Sequence, residues 1–151
     1  MGKEYIHYGS TELHAISPVR NEKCFTKPMG GLWASPVDAK FGWAEWCKRE
    51  NFRNTDKRNS FRFKVKDDSK IIHIYSVKDL EDLPKQETYL SMNCCLDFEK
   101  IQKEYDGIEL HLSDEVFVGD QDFCSGLYFT LYGWDCDSIL IFHDQAIEVV
   151  S

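Results

Sequence analysis

Three short clusters hold the residue types that bind or transform small molecules. His7-Tyr8-Gly9-Ser10 ends an extended stretch with ring and hydroxyl groups beside a glycine, so hydrogen-bonding groups stand next to backbone that a ligand can approach closely. Gly30-Gly31-Leu32-Trp33-Ala34-Ser35 sets two glycines before an aromatic residue and a hydroxyl, a combination suited to stacking a flat ring while hydrogen-bonding its substituents. Tyr132-Gly133-Trp134-Asp135-Cys136-Asp137-Ser138 puts Asp135 and Asp137 at alternate positions just before an apolar run. If the strand has already begun, both carboxylates lie on one side, where they hydrogen-bond a sugar hydroxyl or stabilise a cationic transition state. Each cluster also has a plainer reading. The first is then a strand end with a turn, the second a glycine turn with a core tryptophan and a helix cap at Ser35, and the third a pair of solvated turn acids. Trp43 and Trp46 are three apart on a predicted helix and share a face, where Trp43 walls a pocket or fills the core. Motifs with strong spacing are absent: no G-x-x-x-x-G-K-[ST], H-E-x-x-H, G-x-S-x-G or G-x-G-x-x-G occurs.

The elements that must position these clusters follow from periodicity and from turn chemistry. Residues 5–8 form a first strand, ended by Gly9-Ser10, and a polar loop leads to the second cluster, whose residues 32–34 are extended. Ser35-Pro36-Val37-Asp38 has the pattern of a helix start, with Ser as N-cap, Pro at the first helical position and an acid three residues after the cap; the helix runs to about Glu50. In residues 60–66, Phe61, Phe63 and Val65 alternate with Arg62, Lys64 and Lys66, the period of a half-buried strand. A strand at 70–75 follows the polar turn Asp67-Asp68-Ser69, and a hairpin between the two is expected. Ser76 opens a short helix stopped by Pro84, Asp97 caps a helix through Glu104, and residues 107–112, 127–132, 138–142 and 146–150 read as strands. Strands outnumber helices and often follow one another directly, which predicts an α+β fold with mixed, mostly antiparallel sheets and a few short helices.

With 151 residues, 42% of them hydrophobic, the chain suits a single domain, residues 1–151, and is too apolar for a disordered one. The longest strongly apolar stretches, such as Ile139–Phe142, are far too short to span a bilayer, and residues 1–10 lack a signal-peptide pattern. The expectation is a cytoplasmic protein with no membrane partner. The net charge of −8 is unevenly spread: residues 1–75 carry 14 Lys/Arg against 9 Asp/Glu, a net of +5, and residues 76–151 carry 4 against 17, a net of −13. The basic stretch containing Arg53, Arg58 and Arg62 could meet a phosphorylated ligand, and the acidic half a basic partner. Cys24, Cys47, Cys94, Cys95, Cys124 and Cys136 are irregularly spaced without a C-x-x-C pair, which predicts free, mostly buried thiols and neither disulfides nor a cysteine zinc site.

Taken in order, the clusters resemble the ADP-ribosyltransferase superfamily. Its members open with a strand bearing a His or Arg and small polar residues, continue with a strand carrying an aromatic and often a Ser, and finish with an acid, usually Glu, at the start of a late strand. His7-Tyr8-Gly9-Ser10 resembles the first element and Gly31-Leu32-Trp33-Ala34-Ser35 the second. Asp137-Ser138-Ile139-Leu140-Ile141-Phe142 with Ala146-Ile147 resembles the third, so the likeness spans nearly the whole chain. The resemblance implies split β-sheets around a cleft for NAD as substrate, with no metal. His7 would bind ribose hydroxyls, Gly9 would admit the nicotinamide and Trp33 would stack on it. Ser10, Ser35 and Trp43 would complete the NAD-binding set. Many relatives read Tyr-His-Gly-Ser at the first element, which makes Tyr8 the alternative ribose contact. Matching Phe142 and Ile147 to the closing strand puts Ser138 where the catalytic Glu normally lies and Asp137 one place earlier.

On this resemblance the expected activity is mono-ADP-ribosyl transfer to a protein or nucleic-acid target, with Asp137, seconded by Asp135, as the acid that holds the ribose hydroxyl. Compact members of this kind occur as bacterial toxins and phage-borne proteins acting on host or defence factors. The alternative is a catalytically inactive protein of the same fold, using its acidic C-terminal half against a basic partner such as a nucleic-acid-handling complex. An RNA or nucleotide phosphotransferase of the same broad fold would want several convergent basic residues, which the sequence does not place in one site.

Overall fold

A computed structural model describes residues 3–21, 28–39, 41–51, 55–86, 95–111 and 136–150. The predicted strand at 127–132, residues 132–135 of the third cluster, Arg53 and Cys24, Cys94 and Cys124 lie outside them.

Nine strands and two helices are present among the described residues: β1 (Glu4–Tyr8), β2 (Leu32–Pro36), α1 (Trp43–Glu50), β3 (Ser60–Val65), β4 (Ile71–Ile74), β5 (Lys85–Gln86), β6 (Cys95–Leu96), α2 (Phe98–Ile101), β7 (Gly107–Leu110), β8 (Ser138–Ile141) and β9 (Ile147–Val150). Seven strands make one curled sheet in the order β4-β7-β8-β2-β1-β3-β9, which with the helices gives a mixed α+β protein, and β5 and β6 form a separate antiparallel pair. All neighbours in the large sheet are antiparallel except β4 and β7. That parallel pair needs a long crossover, whose described residues include a 3-10 turn at Val77–Leu80, the paired β5 and β6, and α2.

Strand β8 explains why the run Ile139-Leu140-Ile141-Phe142 is continuously apolar. It sits inside the sheet between β7 and β2 and is buried on both faces. Alternation sends Leu140 and Phe142 into one core, with Ile74, Leu80, Phe98, Ile101, Ile108 and Leu110. Ile139 and Ile141 go into the other, with Tyr5, Ala34, Phe61, Phe63 and Ile147.

Two expectations are corrected. The strands around Asp67-Asp68-Ser69 do not form a hairpin: both edges of β3 are occupied, one by β1 over five residue pairs and the other by β9, so β4 adds to β7 instead. The helix does not start at Ser35-Pro36. Those residues continue β2, pairing with Ile6 and Tyr5, and α1 begins at Trp43 with Gly42 as its N-cap. Its predicted end at Glu50 holds, closed by Asn51 in a left-handed conformation whose N–H bonds the Cys47 and Lys48 carbonyls. The capping signals at Ser76 and Asp97 also operate. Ser76 and Asp79 form a reciprocal capping box, and the Asp97 carboxylate accepts from the Lys100 N–H. Cys47 and Cys136 are buried.

Candidate functional site

Strands β1 and β2 pair only at Tyr5↔Pro36 and Ile6↔Ser35, then part. A cavity of about 300 Å³ opens where they diverge, lined by Ile6, His7, Tyr8, Trp33, Ser35 and Trp43, with Cys136 and Ser138 from the start of β8 among the remaining walls. Five of the seven residues expected to hold a nucleotide are thus brought together from two strands and a helix. Gly9 and Ser10 lie just beyond the lining. Gly9 is exposed with φ of +111°, and its N–H donates to the Asn59 carbonyl. The Ser10 hydroxyl closes its own turn by donating to the Glu12 carbonyl.

His7 bridges the gap that the parted strands leave. Its Nδ1 lies 2.6 Å from the Trp33 carbonyl oxygen, which only accepts, so Nδ1 carries a hydrogen. In the neutral ring this leaves Nε2 as the acceptor, and Phe61 packs beside the imidazole at 5.3 Å between centroids. Burial raises the Tyr8 hydroxyl above the ordinary phenol range; the Glu45 carboxylate adds to the rise and Arg62 opposes it. Arg62 therefore stands within electrostatic reach of the cavity, whereas Arg58 forks onto Asp56 at 2.9–3.2 Å.

A hydrogen-bonded knot fixes the aromatic wall. The Ser35 hydroxyl accepts from the Trp43 N–H at 2.9 Å and donates to the Asp137 carbonyl at 2.9 Å, while the Asp137 N–H donates to the Phe41 carbonyl at 2.9 Å. Ser35 does satisfy the first N–H of α1, but from β2 and eight residues before Trp43. Trp46 stacks on Trp43 at 5.2 Å and 14°, holding the indole that faces the cavity.

Of the two acids, Asp135 lies outside the described residues. Asp137 is 5% exposed and its backbone belongs to the knot, but its side chain is not among those lining the cavity, unlike its neighbours Cys136 and Ser138. The Ser138 hydroxyl donates to the Cys136 carbonyl at 2.9 Å. One residue past the Leu110↔Ser138 pair, the β7–β8 register carries Asp137 towards His111, whose charged form it favours.

A second cluster escaped the sequence reading. Glu109 is fully buried on β7; its carboxylate accepts from the Tyr5 hydroxyl and, at 3.0 Å, from Lys3 Nζ. His111 Nε2 stands 3.5 Å from Glu109 Oε2 and 3.0 Å from His73 Nδ1 on β4. Tyr75 stacks on His111 at 4.2 Å and 8°. Burial holds the His111 imidazole below its ordinary value, with Glu109 pulling the other way. Burial also raises the Tyr5 phenol, and Glu109 adds to the effect. The available signal was Glu109-Leu110-His111 within an alternating strand, which reads as an ordinary solvent face until β4 is known to lie beside it.

No protein-family model, curated protein or solved structure matches the chain.

Proposed function

We propose that the cavity between β1 and β2 receives the nicotinamide–ribose end of NAD, and that the protein is a mono-ADP-ribosyltransferase acting on a macromolecular target. One observation carries this reading: His7 and Tyr8, Trp33 and Ser35, and Trp43, from three separate segments of the sequence, line a single cavity at the point where two strands separate. Its volume is at the small end of ligand pockets, which suits one end of a dinucleotide. Trp33 and Trp43 offer flat apolar faces to the pyridine ring, and His7 Nε2 and the Tyr8 hydroxyl offer hydrogen-bonding partners to ribose. Arg62, near Tyr8, supplies positive charge for the pyrophosphate.

In the reaction the C1′–N bond to nicotinamide breaks and both electrons go to the ring nitrogen, which turns the pyridinium into a neutral leaving group. The ribose passes through an oxocarbenium-like state, and an acceptor on the target forms the new bond to C1′ and releases its proton to solvent. The resemblance gives Asp137, which stands beside the cavity lining between Cys136 and Ser138, the role of holding the ribose hydroxyl and favouring the positive charge. Incubation with labelled NAD and a cell lysate tests this: transfer is expected from the wild type and lost in Asp137→Ala. Transfer untouched by both Asp137→Ala and Asp135→Ala overturns the catalytic assignment.

A second reading has its own support. Ser138 lines the cavity at the place the resemblance gives to the catalytic Glu, and the Asp137 side chain does not line it. On that basis the chain would hold NAD or a related nucleotide without transferring it, and would act through its acidic half, net −13 over residues 76–151, on a basic partner. NAD binding without any label transfer selects this reading.

A further inference from the structure

We infer that His73, Glu109 and His111 form a binding site for a divalent transition-metal ion, zinc foremost, separate from the β1–β2 cavity. The sheet geometry builds the site. His73 and Glu109 are partners in the parallel β4–β7 register, and His111 follows Glu109 by two residues, so all three side chains rise from one face of adjoining chain segments. His73 Nδ1, His111 Nε2 and a Glu109 carboxylate oxygen lie within 4.8 Å of one another, the one such group of three found among the described residues.

The spacing matches ligation. Two bonds of about 2.0–2.1 Å to one zinc ion place their ligand atoms roughly 2.8–3.4 Å apart for angles between right-angled and tetrahedral. The His73–His111 separation is 3.0 Å, at present a hydrogen bond between the two rings that an ion would replace, the His111–Glu109 separation is 3.5 Å, and all three ligand atoms lie within 4.8 Å of one another. Two imidazoles and a carboxylate are a donor set for zinc or iron(II), and too nitrogen-rich for calcium or magnesium. The surroundings hold the ligands in place. Tyr5 bonds the other Glu109 oxygen, and the Tyr75 ring stacked on His111 fixes its plane. His73 is exposed, which leaves an entry path and room for water as a further ligand.

Lys3 is the group an ion would displace. Its ammonium holds Glu109 Oε2 at 3.0 Å, yet its side chain is 41% exposed and can swing into water. A cation at the site and the Lys3 ammonium compete for one oxygen, which a purely structural Lys3–Glu109 pair does not require.

The test is titration of the chelator-treated full-length chain with cobalt(II), followed by absorption, and with zinc, followed by calorimetry. One equivalent should bind, with cobalt bands of nitrogen and oxygen ligation and no thiolate charge-transfer band. His73→Ala, an exposed position, should weaken binding at least tenfold. Lys3→Met leaves all three ligands in place and should tighten binding severalfold, which keeps the test decisive even if a ligand variant misfolds. Absence of stoichiometric binding, equal affinity in wild type and His73→Ala, a thiolate band, or unchanged or weaker binding in Lys3→Met overturns the site.

Discussion

Ser35 caps a helix to which it does not belong: its hydroxyl accepts from the Trp43 N–H at 2.9 Å while donating to the Asp137 carbonyl. One buried hydroxyl thereby ties β2, the first turn of α1 and the approach to β8, and sets the position of the Trp43 indole on the cavity wall. Removing it leaves one donor and one acceptor without their partner. Ser35→Ala should cost about 1–3 kcal/mol of stability by urea denaturation. Ser10→Ala, which breaks a local turn bond near the surface, should stay within about 0.5 kcal/mol of wild type.

Gly31 and Gly9 separate crowding from backbone strain. Both have positive φ, +73° and +111°, but a Cβ on Gly31 would lie 2.6 Å from Leu140 Cδ1 and 3.1 Å from Val19 Cγ1, whereas one on Gly9 meets nothing within 4 Å. Gly31→Ala should therefore be the more destabilising, by at least about 1 kcal/mol, because overpacking adds to the conformational cost. Thermal unfolding of the two variants side by side reads the difference.

Tyr8 gives stability an alkaline limb. Burial raises its pKa in the fold above the ordinary phenol range, so the folded protein keeps a proton that the unfolded chain releases. The contribution is fully present below the unfolded pKa and is lost as pH rises through the folded one. Denaturation midpoints between about pH 9 and 11 should fall more steeply for wild type than for Tyr8→Phe. Parallel slopes would remove Tyr8 from the account.

The Tyr5 hydroxyl is the buried partner of the fully buried Glu109. Tyr5→Phe keeps the ring stacked on Phe63 but withdraws a donor from an acceptor that water reaches poorly. A loss of about 1–3 kcal/mol is expected in chemical denaturation.

How much of this was legible depended on the reach of the interaction that decides each feature. Alternation at Phe61, Phe63 and Val65 is local, and it located β3; which strands flank β3 is decided by β1 and β9, remote in sequence, so the expected hairpin with β4 did not form. Ser35 has the chemistry of a cap, but its partner is eight residues away because the chain stays extended through Pro36 to pair with Tyr5. Proximity of His7, Tyr8, Trp33 and Ser35 was foreseeable only through the order of the motifs. Glu109 and His111 look like a polar strand face, and their meeting with His73 needed the parallel register of β4 on β7, which no local pattern encodes.

Calorimetric titration of the full chain with NAD tests most directly the proposed binding of NAD in the cavity at the parting of β1 and β2. Wild type should bind one equivalent, with affinity at least tenfold weaker in Trp33→Ala and in His7→Ala and unchanged in Ser10→Ala. Failure of folded wild type to bind NAD, or equal affinity in all three variants, would contradict it.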